Sequence, residues 1–256
     1  MKHQAFFIRA FALFASLGAV CPTVHAQQNL SLTANASVVS DYRYRGITQT
    51  RFDPALQVGA DLSLPDGFYL GAWATNIKWL KDAGQGGKGS SEIDFYGGYK
   101  TPLGRHMTAD VGALRYQYPG NNYALMGQND NANTTELYAA LSFGHATLKY
   151  SRAVTSLFGW ADSKGSGYLD LSANFDLGAG WSLTPHVGRQ TVASHGLANY
   201  TDYSLSINKE LAGFVFGANY TAVDARDESM YRADGKFAGK SGLIFLQNII
   251  FKELMV

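Results

Sequence analysis

Asp41, Arg43 and Arg45 stand two residues apart in the segment Ser40-Asp41-Tyr42-Arg43-Tyr44-Arg45-Gly46. Further charges recur at Asp61, Glu92, Asp94, Asp110, Glu136, Lys149, Asp170, Asp176 and Asp202. On an extended chain a spacing of two keeps side chains on one face. Charges gathered on such a face could line a water-filled path and set its ion preference. Acids dominate the set, which points to a weak preference for cations. The same groups could instead form a buried ion-pair network that fills a narrow lumen.

Hydrolytic chemistry has one candidate base. His186 lies two residues from Thr184 and four from Ser182, all on one side of an extended segment. Four residues of strand span about 13 Å, too far for the hydrogen bond that activates a nucleophile. A lipid-modifying enzyme would therefore need a serine from a neighbouring strand, and His186 reads more simply as a polar lumen residue. Gly84-Gln85-Gly86-Gly87-Lys88-Gly89-Ser90 resembles a phosphate loop, but Gly89 stands where Ser or Thr is needed and no helical pattern follows. Asn129-Asp130-Asn131-Ala132-Asn133 suggests a calcium loop, yet Thr134 occupies the glycine position and Ala140 the bidentate glutamate position. No catalytic residue, metal site or cofactor is expected.

The elements that would position these charges follow from a period of two. Leu30, Leu32, Ala34, Ala36 and Val38 alternate with Ser31, Thr33, Asn35 and Ser37; Leu169, Leu171, Ala173, Phe175 and Leu177 alternate with Tyr168, Asp170, Ser172, Asn174 and Asp176. One apolar and one polar face mark a strand between two solvents. Twelve strands are predicted, at 30–47, 55–64, 68–77, 91–100, 107–118, 134–143, 146–154, 167–177, 181–189, 200–209, 214–224 and 241–251. Short connections, such as Pro65-Asp66-Gly67, Gly144-His145 and Gly178-Ala179-Gly180, alternate strictly with longer polar ones. That asymmetry is expected of an all-β transmembrane antiparallel up-and-down barrel, with short periplasmic turns and long outer loops. It places both termini in the periplasm. A soluble sandwich would not show it, and a lipocalin-like barrel has only eight strands. No apolar run after residue 26 is long enough for a helical span.

Residues 1–26 read as a cleaved signal peptide: Lys2 and Arg9 form a basic start, Ala10 to Val20 an apolar stretch, and Val24-His25-Ala26 a small-residue cleavage site. Acylation at Cys21 is the alternative, although Gly18-Ala19-Val20 is a poor lipobox. Cleavage after Ala26 leaves residues 27–256 as one cysteine-free barrel. The balance of 21 basic and 20 acidic residues excludes the basic face of a nucleic-acid binder. Tyr42, Tyr44, Phe68, Trp73, Tyr116, Tyr118, Trp181 and Tyr203 are candidates for the aromatic girdles at the two membrane interfaces.

The opening motif Ser40 to Gly46, followed by Gln49-Thr50 and Pro54-Ala55-Leu56-Gln57, resembles the TorF-type porins, a proteobacterial family long without an assigned function. Gly67-Phe68-Tyr69-Leu70-Gly71-Ala72-Trp73-Ala74-Thr75-Asn76, Tyr96-Gly97-Gly98-Tyr99, Tyr116-Gln117-Tyr118-Pro119-Gly120 and Thr135-Glu136-Leu137-Tyr138 follow in the same order. The resemblance covers about residues 30 to 225. It implies an outer-membrane protein of a Gram-negative bacterium with a pore role, and it brings no catalytic residues. Barrels of this kind usually end in a strand with a terminal aromatic; here Lys252 to Val256 follow Phe251, which alters the signal offered to the barrel-assembly machinery. The expected function is a porin for small polar or ionic solutes, embedded in outer-membrane lipid. A lipid-modifying enzyme and a non-conducting structural or surface-interaction barrel are the alternatives, and no oligomeric state is implied.

Overall fold

The computed structural model describes residues 30–82, 87–127, 129–233 and 235–255. The proposed targeting segment and Cys21 lie outside them. Twelve antiparallel strands form the wall: β1 (Ser31–Val39), β2 (Ala55–Ser63), β3 (Phe68–Asn76), β4 (Ser91–Leu103), β5 (Met107–Gln117), β6 (Thr134–Phe143), β7 (Ala146–Ala153), β8 (Gly167–Ala173, resumed after Asn174 as Phe175–Gly178), β9 (Trp181–Thr191), β10 (Tyr200–Leu211), β11 (Phe214–Ala225) and β12 (Gly242–Met255). Each strand pairs with its chain neighbours, and β1 pairs with β12, so the sheet closes on itself and leaves no edge.

Alternation along the strands orients the wall. On β8, Leu169 and Leu171 are exposed to the outside, while Tyr168, Asp170 and Ser172 are buried inside. Leu56 and Val58 against Gln57, and Leu137 and Leu141 against Glu136 and Ser142, repeat the pattern. An apolar outside around a polar inside inverts the arrangement of a water-soluble barrel and fits lipid as the outer solvent.

Several expected boundaries change. The first strand stops at Val39 rather than running to 47. Its continuation turns inward, and Arg43–Tyr44 pairs with Ile47–Thr48 as a two-residue ladder. β4 runs on to Leu103, so its turn is shorter than expected. β12 continues past Phe251 to Met255: Leu254 and Met255 pair with Leu32 and Ser31 across an irregularity in register. The residues after the last aromatic thus extend the closing seam.

Glycines on the inner wall make room for tyrosines. A Cβ on Gly98 would lie 2.5 Å from the Tyr69 hydroxyl, and one on Gly112 would lie 2.4 Å from that of Tyr138. Each ring lies over the glycine opposite it on the next strand, which accounts for the Tyr-Gly-rich stretches of the sequence.

Candidate functional site

The lumen gathers most of the charged residues singled out above, but loop 1 (residues 40–54) places three of them differently. The Ser40 N–H donates to the Phe245 carbonyl and the Phe245 N–H to the Ser40 hydroxyl, which holds the end of β1 against β12. The chain then folds into the barrel. Arg45 and Gly46, at φ values of 47° and 78°, form the left-handed tip of the small hairpin. A Cβ on Gly46 would lie 2.5 Å from Val223 on β11 and 2.8 Å from Asp202 on β10, so the tip presses on that wall and needs glycine.

Arg45 is buried inside the lumen. Its guanidinium donates to both carboxylate oxygens of Glu136 on β6, at 2.9 and 2.6 Å, and to Gln190 on β9 at 2.8 Å. The Tyr168 ring of β8 lies beneath it at 4.1 Å. Tyr116 also donates to Glu136, at 3.2 Å, and bonds the Tyr44 hydroxyl. Side-chain exposure of Arg45 and Glu136 is only 5% and 3%, so the pair is withdrawn from water. Bidentate geometry and neutral donors around it make such burial tolerable. Arg43 and Asp41 pair within the loop itself. Arg43 also donates to the carbonyls of Gly46 and Ala238, which ties loop 1 to loop 6 (residues 226–241).

On β4, Glu92 and Asp94 face inward beside loop 1. Glu92 accepts from Tyr42 and Tyr118, both at 3.5 Å. Across the lumen Asp170, His186 and Asp202 cluster. His186 Nε2 lies 2.8 Å from Asp170, its Nδ1 lies 3.6 Å from Asp202, and the Tyr168 hydroxyl donates to Asp202 at 3.0 Å. Both ring nitrogens are thus turned to carboxylates, while the Thr184 hydroxyl accepts from Asn174 at 3.0 Å. Gly188 provides the space: a Cβ there would lie 1.9 Å from the Tyr168 oxygen.

The turn-end half of the lumen is furnished otherwise. Tyr69 donates to Asp110 and Tyr96 to Asp61, each at 2.6 Å, and Lys149 stands 4.0 Å over the Tyr138 ring. Asp176, expected here, is instead exposed at the turn after the break in β8, where it accepts the Gly178 N–H at 2.8 Å. It pairs with Ser182 in the same register that pairs Ser172 with His186, so it keeps the inward phase and is exposed because it lies at the open turn end.

The expected girdle also divides. Phe68, Trp181 and Tyr203 face outward. Tyr42, Trp73, Tyr116 and Tyr118 are buried inside and Tyr44 lies on the hairpin, because an aromatic ring packs as readily against a folded loop as against lipid. With Ile77, Leu80 and Ala132 they make an apolar cluster at the loop end. Leu157, Val192 and Ala198 make a second one, flanked by Trp160 and Tyr231. Sequence reasoning missed Gln190, Tyr168 and Gly46 as partners of the charged set. The Arg-Gly step was the one available signal of a turn. Between the loops, Asp53 pairs with Lys78, whose ammonium holds the Asp53 carboxyl below its ordinary range.

Asp130 of the calcium-like stretch is occupied by Ser156, and among the described residues no group of three or more metal-ligating side chains occurs. The glycine-rich stretch is described only from Gly87 on, where the Lys88 N–H donates to Asn122.

Solved structures of similar shape are porins. The KdgM porin superposes with a TM-score of 0.52 over 87% of this chain and 98% of that one, at 6% identity. The NanC porin gives 0.52 over 87% and 100%, at 9% identity. A KdgM porin in complex with disordered oligogalacturonate gives 0.51 at 6% identity. At these identities the likeness is one of fold. No curated protein matches the sequence. A family described as a bacterial protein of unknown function (Gcw_chp) matches residues 24–249, and the chain belongs to that family.

Proposed function

We propose that the protein is an outer-membrane channel of a Gram-negative bacterium for small polar or ionic solutes, with the loop 1 hairpin as its constriction. The observation that carries this reading is an inner wall that carries polar and charged side chains at both its loop end and its turn end, inside an apolar outer wall. The porin-like fold supports it, and so does the resemblance of the Ser40–Gly46 motif to the TorF-type porins. Export through residues 1–26, folding by the barrel-assembly machinery and periplasmic termini belong to the same reading. Carboxylates outnumber cations among the lumen residues singled out, Asp61, Glu92, Asp94, Asp110, Glu136, Asp170 and Asp202 against Arg45 and Lys149, which favours weak cation preference. The chain does its work without chemistry at His186.

One observation favours a second reading, a non-conducting barrel: the buried Arg45–Glu136 pair lies across the lumen and is surrounded by packed rings. Planar-bilayer recording of the purified protein under a KCl gradient separates the two. Discrete steps with a cation-selective reversal potential are expected, and larger steps in Arg45→Ala. A folded, heat-modifiable barrel that stays silent in both forms would establish the non-conducting reading.

A further inference from the structure

Three arginines point out of the barrel wall near its loop end. Arg115 on β5, Arg152 on β7 and Arg189 on β9 share the outward phase of Val111, Tyr150 and Val187. Their registers place them at one height. Thr135 of β6 faces Arg115, and Leu137, two residues further toward the turn end, faces Arg152. Gly167 of β8 faces Arg152, and Leu169, again two residues further, faces Arg189. A steady descent of this kind is what tilted strands require to keep side chains level in the membrane. The arginines occupy alternate strands, so about 10 Å separates neighbours across the sheet.

Among the described residues none of the three forms an ion pair. Arg115 and Arg189 each give one N–H to a threonine on the next strand, Thr135 and Thr201, at 2.9 Å, which fixes the fork and leaves its other donors facing outward. Lys164, exposed in the loop after β7, adds to the same side. Outward aromatics accompany the arc: Phe95 pairs with Arg115, Tyr150 precedes Arg152 by two residues, and Tyr203 pairs with Val187. Such rings mark the membrane interface, where a cation on the lipid face is tolerated. Asp224, opposite Thr201, bounds the arc at β11. The far side of the barrel presents Val38, Leu56 and Leu243 on its wall at the loop end.

We infer that this arc binds a phosphorylated glycolipid of the outer leaflet. The arginine forks take phosphates carried at separated positions on its sugars, and its acyl chains lie on the apolar wall below. Planar guanidinium groups suit phosphate oxygens. Spacing over alternate strands favours an amphiphile with two phosphates over a single phosphodiester headgroup. The inference rests on the membrane orientation proposed above, with loops outward, and not on conduction.

The test is native mass spectrometry of the purified, folded barrel offered bis-phosphorylated lipid A, monophosphoryl lipid A or phosphatidylglycerol. The wild type should retain the bis-phosphorylated lipid, and the triple variant Arg115→Gln, Arg152→Gln, Arg189→Gln should lose at least about ten-fold in retention. Lys209→Gln, at the opposite interface, should change nothing. Should the triple variant fail to show heat-modifiable folding, Arg152→Gln alone serves, with Arg152→Lys expected to recover part of the loss. Equal retention by wild type and variant overturns the inference. Equal or better retention of phosphatidylglycerol by the wild type also overturns it, by reducing the arc to general anion attraction or reversing the orientation.

Discussion

The two halves of the lumen share a wall but are filled on different terms. At the turn end, tyrosines lie over glycines and donate hydroxyl hydrogen bonds to Asp61 and Asp110, and every group belongs to the barrel strands. At the loop end, a hairpin from loop 1 brings its own cation inside, and the wall supplies Glu136, Gln190 and Tyr168 to receive it. The lower half is therefore a lining and the upper half a small core. A lining can change by single residues. A core holding a withdrawn ion pair cannot, because removing one partner strands the other charge.

That contrast breaks most sharply at the pair itself. Glu136→Ala or Arg45→Ala should cost about 3–5 kcal/mol, the usual consequence of leaving a buried charge unpaired, whereas Arg45→Met with Glu136→Leu should recover much of it. Urea titration of the folded barrel in detergent, followed by tryptophan emission, measures both. Equal stability of single and double variants would mean that the hairpin is not seated as described.

The outer wall gives the next largest effect. Leu171→Arg, on the lipid face, should cost about 2–4 kcal/mol if it lies near mid-membrane, while Ser206→Arg, facing the half-open lumen, should be milder. Matched losses at the two positions would contradict the assigned facing. Gly98→Ala tests the lining: the added methyl would meet the Tyr69 hydroxyl and the Val111 carbonyl, and overpacking of this kind costs about 1–3 kcal/mol. Pairing it with Tyr69→Phe should relieve part of the strain, and no relief would place the conflict at the carbonyl instead.

The smallest effect is at the surface. Asp53 is held below its ordinary range by Lys78, so its contribution is present above the unfolded carboxylate value and fades as pH falls through the lower folded one. Lys78→Gln should remove that dependence between about pH 4 and pH 2, seen as unchanged protease sensitivity of loop 1 and of the segment around position 78 across the range. In the wild type, sensitivity should rise on acidification.

Much of this architecture was legible in the residues alone. A period of two survives in almost any context, since the pleat forces neighbours to opposite faces; thus the alternation alone turns Leu169 and Leu171 outward and Asp170 inward. The alternation of short and long connections fixed an even, closed up-and-down order. Composition was blind at the aromatics and at loop 1. Trp73 and Tyr116 suit a lipid interface and a packed lumen equally, and only the loop that fills the lumen decides between them. Asp176 keeps its alternation, opposite Ser182, but its place at the turn end leaves it exposed where Asp170 is enclosed. The meeting of Arg45 with Glu136, 91 residues later in the chain, leaves no trace in local pattern. Sequence by itself determined which faces meet lipid and which meet water, because that is a property of each strand. Tertiary structure alone decided which charges meet each other, because that depends on closure of the barrel and on a loop that turns inward instead of out.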